Sequence, residues 1–199
     1  MRAFRLGLTG SIGMGKSTTA RLFQAEGIAV WDADAVVHRL YGPYGGAVAP
    51  IAALWPQARD EEGAISRSVL KEIIATDPSA LAKIEAIVHP LVAADRARFL
   101  ENNQKDIVVL DIPLLFEKGT EADLDAVLLV TAPAPLQRAR VLARSGMTEA
   151  QFEAILARQM PDREKRARAD HIIETLDEQA AEAAVVALIR YLRKQHRHA

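Results

Sequence analysis

The chain has 199 residues, half of them hydrophobic, with 25 Lys and Arg against 26 Asp and Glu and a formal net charge of -1. That length suits one domain or one domain with insertions, large enough to fold without staples. The charge balance excludes a global field for gripping nucleic acid, and the absence of cysteine excludes disulfides, thiolate metal sites and cysteine nucleophiles.

Phe4 to Thr9 is a short apolar run that reads as a strand buried on both faces. It has neither the h-region nor the cleavage site of a signal peptide, and no later run is long enough for a transmembrane helix. With no cysteine, which fits a reducing cytosol, a cytoplasmic protein is expected. Lys16 to Glu26 carries Ala20, Leu22, Phe23 and Ala25 at helical spacing, and Gly27 stops it. Ile28 to Trp31 is a second strand. Asp32 and Asp34 follow and can cap a helix carrying Val36, Val37 and Leu40.

From Tyr41 to about Gln104 the strand-helix rhythm breaks. Helical patterns cover Ala47 to Leu54 and Ser66 to Ala75. Asp77-Pro78 reads as an N-cap with proline at the first helical position. That helix is expected to be interrupted at His89-Pro90, with another running on to about Asn102. Ile107 to Leu110, closed by Asp111, and Ala126 to Thr131 are further strands. Ala134 to Arg144 is an arginine-rich helix ended by Gly146, and Thr148 to Gln151 is a capping box. Pro161 to Arg168 is highly charged, His171 to Ile173 is a last strand, and Glu178 to Arg193 is an amphipathic closing helix. The basic run from Arg193 to Ala199 reads as a helix end rather than a nucleic-acid contact.

Strands alternating with helices imply a mostly parallel sheet whose strand C-termini form the ligand edge. Gly10-Ser11-Ile12-Gly13-Met14-Gly15-Lys16-Ser17 fits G-x-x-x-x-G-K-[ST] between a strand and a helix. This is a P-loop. Its glycines let several N–H groups converge on phosphate, and the helix N-terminus adds partial positive charge. Lys16 reaches the outer phosphates, Ser17 can ligate Mg²⁺, and Thr18 can contact an inner phosphate. The loop alone does not separate a kinase from a switch GTPase or an ATPase motor. An N-K-x-D element for guanine is missing, since Asn103-Gln104-Lys105-Asp106 does not fit it. Asp32 and Asp34 suit an acceptor hydroxyl: one can take its proton, the other can orient it or hold a metal-bound water. Capping by one and solvation of the other is the simpler alternative.

These residues, together with the D-A-D-x-x-x-H element from Asp32 to His38, His89-Pro90, Pro113 to Glu117, Gln137, Arg140, Arg144, Gln159-Met160-Pro161, Lys165 and Ala169-Asp170, resemble the dephospho-CoA kinase family through nearly the whole chain. The resemblance implies ATP- and Mg²⁺-dependent phosphorylation of the ribose 3′-hydroxyl of dephospho-CoA. It implies an α/β fold, a P-loop NTPase three-layer sandwich with a mostly parallel five-stranded sheet, a helical CoA-side insertion and a lid. The expected core is 1–41, 105–135 and 169–199, the acceptor insertion 42–104, and the arginine-rich helix and lid 136–168.

By the resemblance Asp34 is the base and Asp32 its partner, although the two can be reversed. Lys16 and Arg140 complete the expected catalytic set, and Gly10 to Thr18 with Arg144 bind ATP. Ser17 and Asp111, the latter placed like a Walker B aspartate, serve Mg²⁺. His38, His89 and Leu114 are expected to meet the substrate. Arg163, Lys165 and Arg166 could neutralise phosphoryl charge from the lid. Trp31, Trp55, Tyr41 and Tyr44 fit packing better than base stacking. Thr175 departs from the asparagine the family often carries, near the adenine of ATP or in support of its loop. The partner is a small molecule, with no nucleic acid or membrane, and no oligomeric state follows. The rival readings are another P-loop small-molecule or nucleotide kinase and a non-catalytic nucleotide-binding regulator.

Overall fold

Phe4–Thr9 (β1), Ile107–Asp111 (β3) and Ala126–Thr131 (β4) have few polar positions, and both faces of each strand are buried almost throughout. In the computed structural model, which describes residues 2–196, they form the centre of a five-stranded sheet. Ala29–Asp32 (β2) and His171–Glu174 (β5) flank them in the order β2-β3-β1-β4-β5. β1 pairs in parallel with β3 and β4, and β4 with β5. The last residues, 197–199, where the basic end was expected to finish, lie outside the described residues.

Side chains alternate across the sheet. Leu6, Leu8, Ile107, Val109, Leu128 and Val130 face one layer. Helices Lys16–Ala25 (α1) and Glu178–His196 (α9) fill it with Ala20, Phe23, Val185, Ile189 and Leu192. Val108, Leu110, Val127 and Leu129 are buried on the opposite face. There the short helix Asp162–Arg168 (α8) packs on β4. Ala134–Leu142 (α6) and Glu149–Leu156 (α7) precede it. The capping box of α7 forms as expected, with Thr148 and Gln151 satisfying each other's backbone N–H groups.

By contacts the chain divides into two compact units, residues 1–31 with 103–199, and residues 32–102. The second begins at Asp32. The reason is apolar packing: Val37, Leu40 and Tyr41 of helix Ala33–Tyr41 (α2) lie against the cluster of that unit. Its core is Val48 and Ile51 from Val48–Leu54 (α3), Leu70 and Ile73 from Arg67–Thr76 (α4), and Ile84 and Val88 from Ala80–Glu101 (α5).

Helix α5 corrects two expectations. It opens at Ala80 with Ser79 as its cap, while Asp77 accepts the Ser79 N–H at 2.8 Å and its hydroxyl at 2.7 Å. It also runs unbroken through Pro90. A proline inside a helix removes one backbone bond and costs about 3 kcal/mol. Burial of Ile84 and Val88 before it, and packing of Leu91 and Val92 after it, hold both halves to one core. Pro90→Ala should therefore raise stability by about 1–2 kcal/mol, the restored bond outweighing the looser unfolded chain. Thermal and denaturant unfolding would measure this, and an unchanged or lowered midpoint would show that Pro90 is not strained.

Candidate active site

The loop between β1 and α1 turns at Gly13 (φ 77°) and Gly15 (φ 88°), a left-handed conformation that glycine adopts without strain. Gly15 is the N-cap of α1 and offers no side-chain cap, and the first turn carries no acid. By contrast, Asp32 caps α2 and Ser66 caps α4. The N–H groups that open α1 are thus left for an anion.

The loop's carbonyls are held by side chains. Gln137 of α6 donates Nε2–H to the Ile12 carbonyl at 2.7 Å. The Ile12 N–H donates to Gln159 Oε1 at 3.1 Å. Thr175, just after β5, donates its hydroxyl to the Met14 carbonyl at 2.8 Å. Gln137 and Gln159 carry family-motif positions in the sequence, but nothing there says what they bind.

Lys16 Nζ lies 2.5 Å from Asp111 Oδ1, with both side chains largely buried. Register explains the meeting: Asp111 ends β3 beside Leu8 of β1, two residues before the loop begins at Gly10. A buried carboxylate needs a cation. The hard oxygens of Ser17 and Asp111 also suit Mg²⁺, which is held by few protein ligands plus water and phosphate. Among the described residues there is no cluster of three or more acidic or histidine side chains that would form an all-protein metal cage.

Beside the loop lies a cleft of about 290 Å³, lined by Gly15, Thr18, Arg140, Arg144, Thr175 and Asp177 among others. Arg140 is engaged with the segment after β5. Its guanidinium donates to the Thr175 hydroxyl at 3.0 Å and to the Thr175 and Leu176 carbonyls at 2.6 and 3.2 Å. Arg144 lies past the end of α6, which stops at Leu142 with Ala143 as its C-cap. The two arginines therefore do not share a regular helical face, although both line the cleft.

Two of the expected lid cations are committed to internal pairs. Lys165 is fully buried, 2.8 Å from Glu117 Oε1, an oxygen that also accepts the Met160 N–H at 2.8 Å. Arg166 pairs with Asp162 and Glu174 and donates to Thr131. Arg163 is exposed. Burial would raise the Glu117 carboxyl, but the Lys165 ammonium and the Met160 N–H outweigh it and hold the pKa below the ordinary carboxylate value. Leu114, at the start of the same loop, is half-buried with φ 55°. A left-handed leucine is uncommon and concentrates at ligand-binding segments.

In the second unit Asp32 Oδ1 accepts the Ala35 N–H at 3.0 Å, so it caps α2. Asp34 is exposed in the first turn, with no hydrogen bond or ion pair among the described residues. His38 is one turn further along and also exposed, on the same side of the helix. His89 is exposed on α5, with Nε2 3.7 Å from Glu85. Trp31 belongs to the buried core and Trp55 and Tyr41 pack on the second cluster, whereas Tyr44 is fully exposed.

A family profile described as dephospho-CoA kinase matches residues 4–181. A dephospho-CoA kinase of Cereibacter sphaeroides is 69% identical over 194 residues, covering 98% of each chain. Among solved structures, TT1252 from Thermus thermophilus superposes with a TM-score of 0.86 at 36% identity, covering 96% of this chain and 99% of the other. A dephospho-CoA kinase from Campylobacter jejuni superposes with a TM-score of 0.72 at 24% identity, covering 96% and 98%, which speaks to the fold.

The buried pair makes a prediction. Glu117→Ala leaves Lys165 charged and buried and should cost about 3–5 kcal/mol in denaturant unfolding at neutral pH. Because the Glu117 pKa is lowered in the folded state, its contribution is complete above the unfolded value of about 4.3 and is lost as pH falls through the folded value. The stability gap between wild type and Glu117→Gln should therefore be full at pH 6 and shrink below about pH 4. A gap independent of pH would contradict the pairing.

Proposed function

The chain belongs to the dephospho-CoA kinase family, and from that premise we propose how its residues carry out phosphorylation of dephospho-CoA to coenzyme A by ATP. The enzyme is a kinase. The observation that carries the residue assignment is the uncapped start of α1, behind a loop whose carbonyls are turned to side chains, with Lys16 at 2.5 Å from Asp111.

The N–H groups of Gly13 and of Gly15 to Thr18 receive the ATP phosphates, with Gly10 to Ile12 and Met14 shaping the loop. Lys16 exchanges part of its hold on Asp111 for the β- and γ-phosphate oxygens. Ser17 and Asp111 are the residues that would hold Mg²⁺, whose chemistry there is to neutralise charge on the phosphates. Arg140 holds the Thr175–Leu176 backbone as a wall of the nucleotide cleft, and Arg144 adds positive charge at its rim.

On the acceptor side Asp34 takes the proton of the ribose 3′-hydroxyl. The 3′-oxygen forms a bond to the γ-phosphorus. The bond from that phosphorus to the β–γ bridging oxygen breaks, and ADP leaves with the electron pair. Asp32 caps α2 and so sets the turn that carries Asp34. His38 and His89 contact the substrate by hydrogen bonding, and Leu114 offers it an apolar surface. Asp34 has a free carboxylate for its role, whereas Asp32 has one oxygen committed to the cap, which favours Asp34 as the base. A kinase that draws on ATP works where ATP is supplied, and a cytoplasmic location is part of this proposal.

Two measurements test the reading. With ATP and Mg²⁺, ADP release should rise with dephospho-CoA and not with adenosine, AMP or shikimate, and the product should gain one phosphate at the 3′ position. Stimulation by another acceptor alone would retain the P-loop kinase and discard this substrate. Asp34→Asn should lower kcat by about 10²–10⁴-fold with little change in ATP affinity, whereas Lys16→Ala should impair both. Loss of ATP affinity with kcat intact in Asp34→Asn would show the base to be misassigned.

A further inference from the structure

Ahead of the N–H groups that open α1, the P-loop N–H groups of Gly13 and Gly15 donate to no protein acceptor among the described residues. Their directions follow from the peptides that contain them. All peptide bonds among the described residues are trans, and a planar trans peptide points its C=O and N–H in opposite directions. The peptide carrying the Gly13 N–H has the Ile12 carbonyl on its other side, and Gln137 Nε2 holds that carbonyl at 2.7 Å. The peptide carrying the Gly15 N–H has the Met14 carbonyl on its other side, and the Thr175 hydroxyl holds that one at 2.8 Å. Each side chain thereby turns one N–H directly away from itself.

The glycines allow these approaches. A Cβ at Gly13 would lie 3.0 Å from the Gln137 carbonyl oxygen and 3.3 Å from its Cγ, and one at Gly15 would lie 2.8 Å from Thr175 Oγ1. Alternate residues at φ 77° and 88° also give the loop the concave form in which N–H groups converge on an anion. The Thr175 hydroxyl has a single proton, and Arg140 Nη1 donates to its oxygen at 3.0 Å. Arg140 thus occupies the acceptor side of the hydroxyl, and its one proton has the Met14 carbonyl at 2.8 Å as a nearer acceptor than the Thr131 carbonyl at 3.3 Å.

We propose that Gln137 and Thr175 are positioning residues that aim the Gly13 and Gly15 N–H groups at a nucleotide phosphate, with Arg140 acting through Thr175. Gln137 and Arg140, three residues apart on α6, then act on the same loop, one directly and one through a relay. The inference rests on the reading that this loop binds the phosphates of ATP.

The test uses the full chain labelled with ¹⁵N and titrated with ADP, and separately with adenosine, which has no phosphate. In the wild type both glycine amide protons should shift downfield with ADP. Thr175→Val should weaken ADP binding by about tenfold or more, abolish the Gly15 shift, keep that of Gly13 and leave adenosine binding within about twofold. Thr175→Ser should restore both the affinity and the shift. Gln137→Met should do the reverse, losing the Gly13 shift and keeping that of Gly15. Should Gln137→Met not fold, the Thr175 pair carries the test. The proposal is overturned if Thr175→Val keeps the Gly15 shift and ADP affinity, or if it weakens ADP and adenosine alike. Failure of the wild type itself to bind ADP would overturn the nucleotide reading beneath it, a result distinct from both.

Discussion

A loop that offers its N–H groups to phosphate must send its carbonyls the other way, and those carbonyls need donors. Much of the first unit is arranged around that requirement. Gln137 of α6 and Thr175 at the end of β5 donate to loop carbonyls, and Gln159, between α7 and α8, accepts the Ile12 N–H. Three elements remote in sequence meet one short loop because the parallel sheet sets β1 beside β4, and β4 beside β5. Arg140 then fastens the Thr175 segment to α6, so that one helix supports both the loop and the wall of the cleft beside it.

Buried charge is handled in the same way. Lys16 and Asp111 pair at the sheet edge, so that neither is a bare ion in a dry site. Lys165 and Glu117 form a second ion pair with no solvent at the lysine, joining α8 to the segment after β3. Surface pairs such as Arg39 with Asp95 and Arg2 with Asp125 sit in water and contribute little by comparison. The charged stretch 161–168 is therefore a fastening as much as a basic surface, with Arg163 left exposed.

The second unit holds its helices by a separate apolar cluster. Its candidate chemistry lies on exposed turns: Asp34 and His38 on α2, and His89 on α5. The cluster keeps α5 continuous through Pro90, against the local preference of that residue. It also takes α2 into this unit.

The sequence by itself determined the strands, most of the helices, the P-loop and the family, because each is written in local spacing: apolar runs, glycine positions, caps and motif residues. It also placed Asp111 correctly at a strand end. Only the tertiary structure decided that Arg140 serves Thr175, that Lys165 is buried on Glu117, that Arg144 falls beyond α6 and that Pro90 leaves α5 intact. Arg140, Lys165 and the P-loop anchors all depend on contacts between residues tens of positions apart or more. An arginine or lysine reads the same along the chain whether it faces solvent or a buried carbonyl or carboxylate, and only packing separates those outcomes.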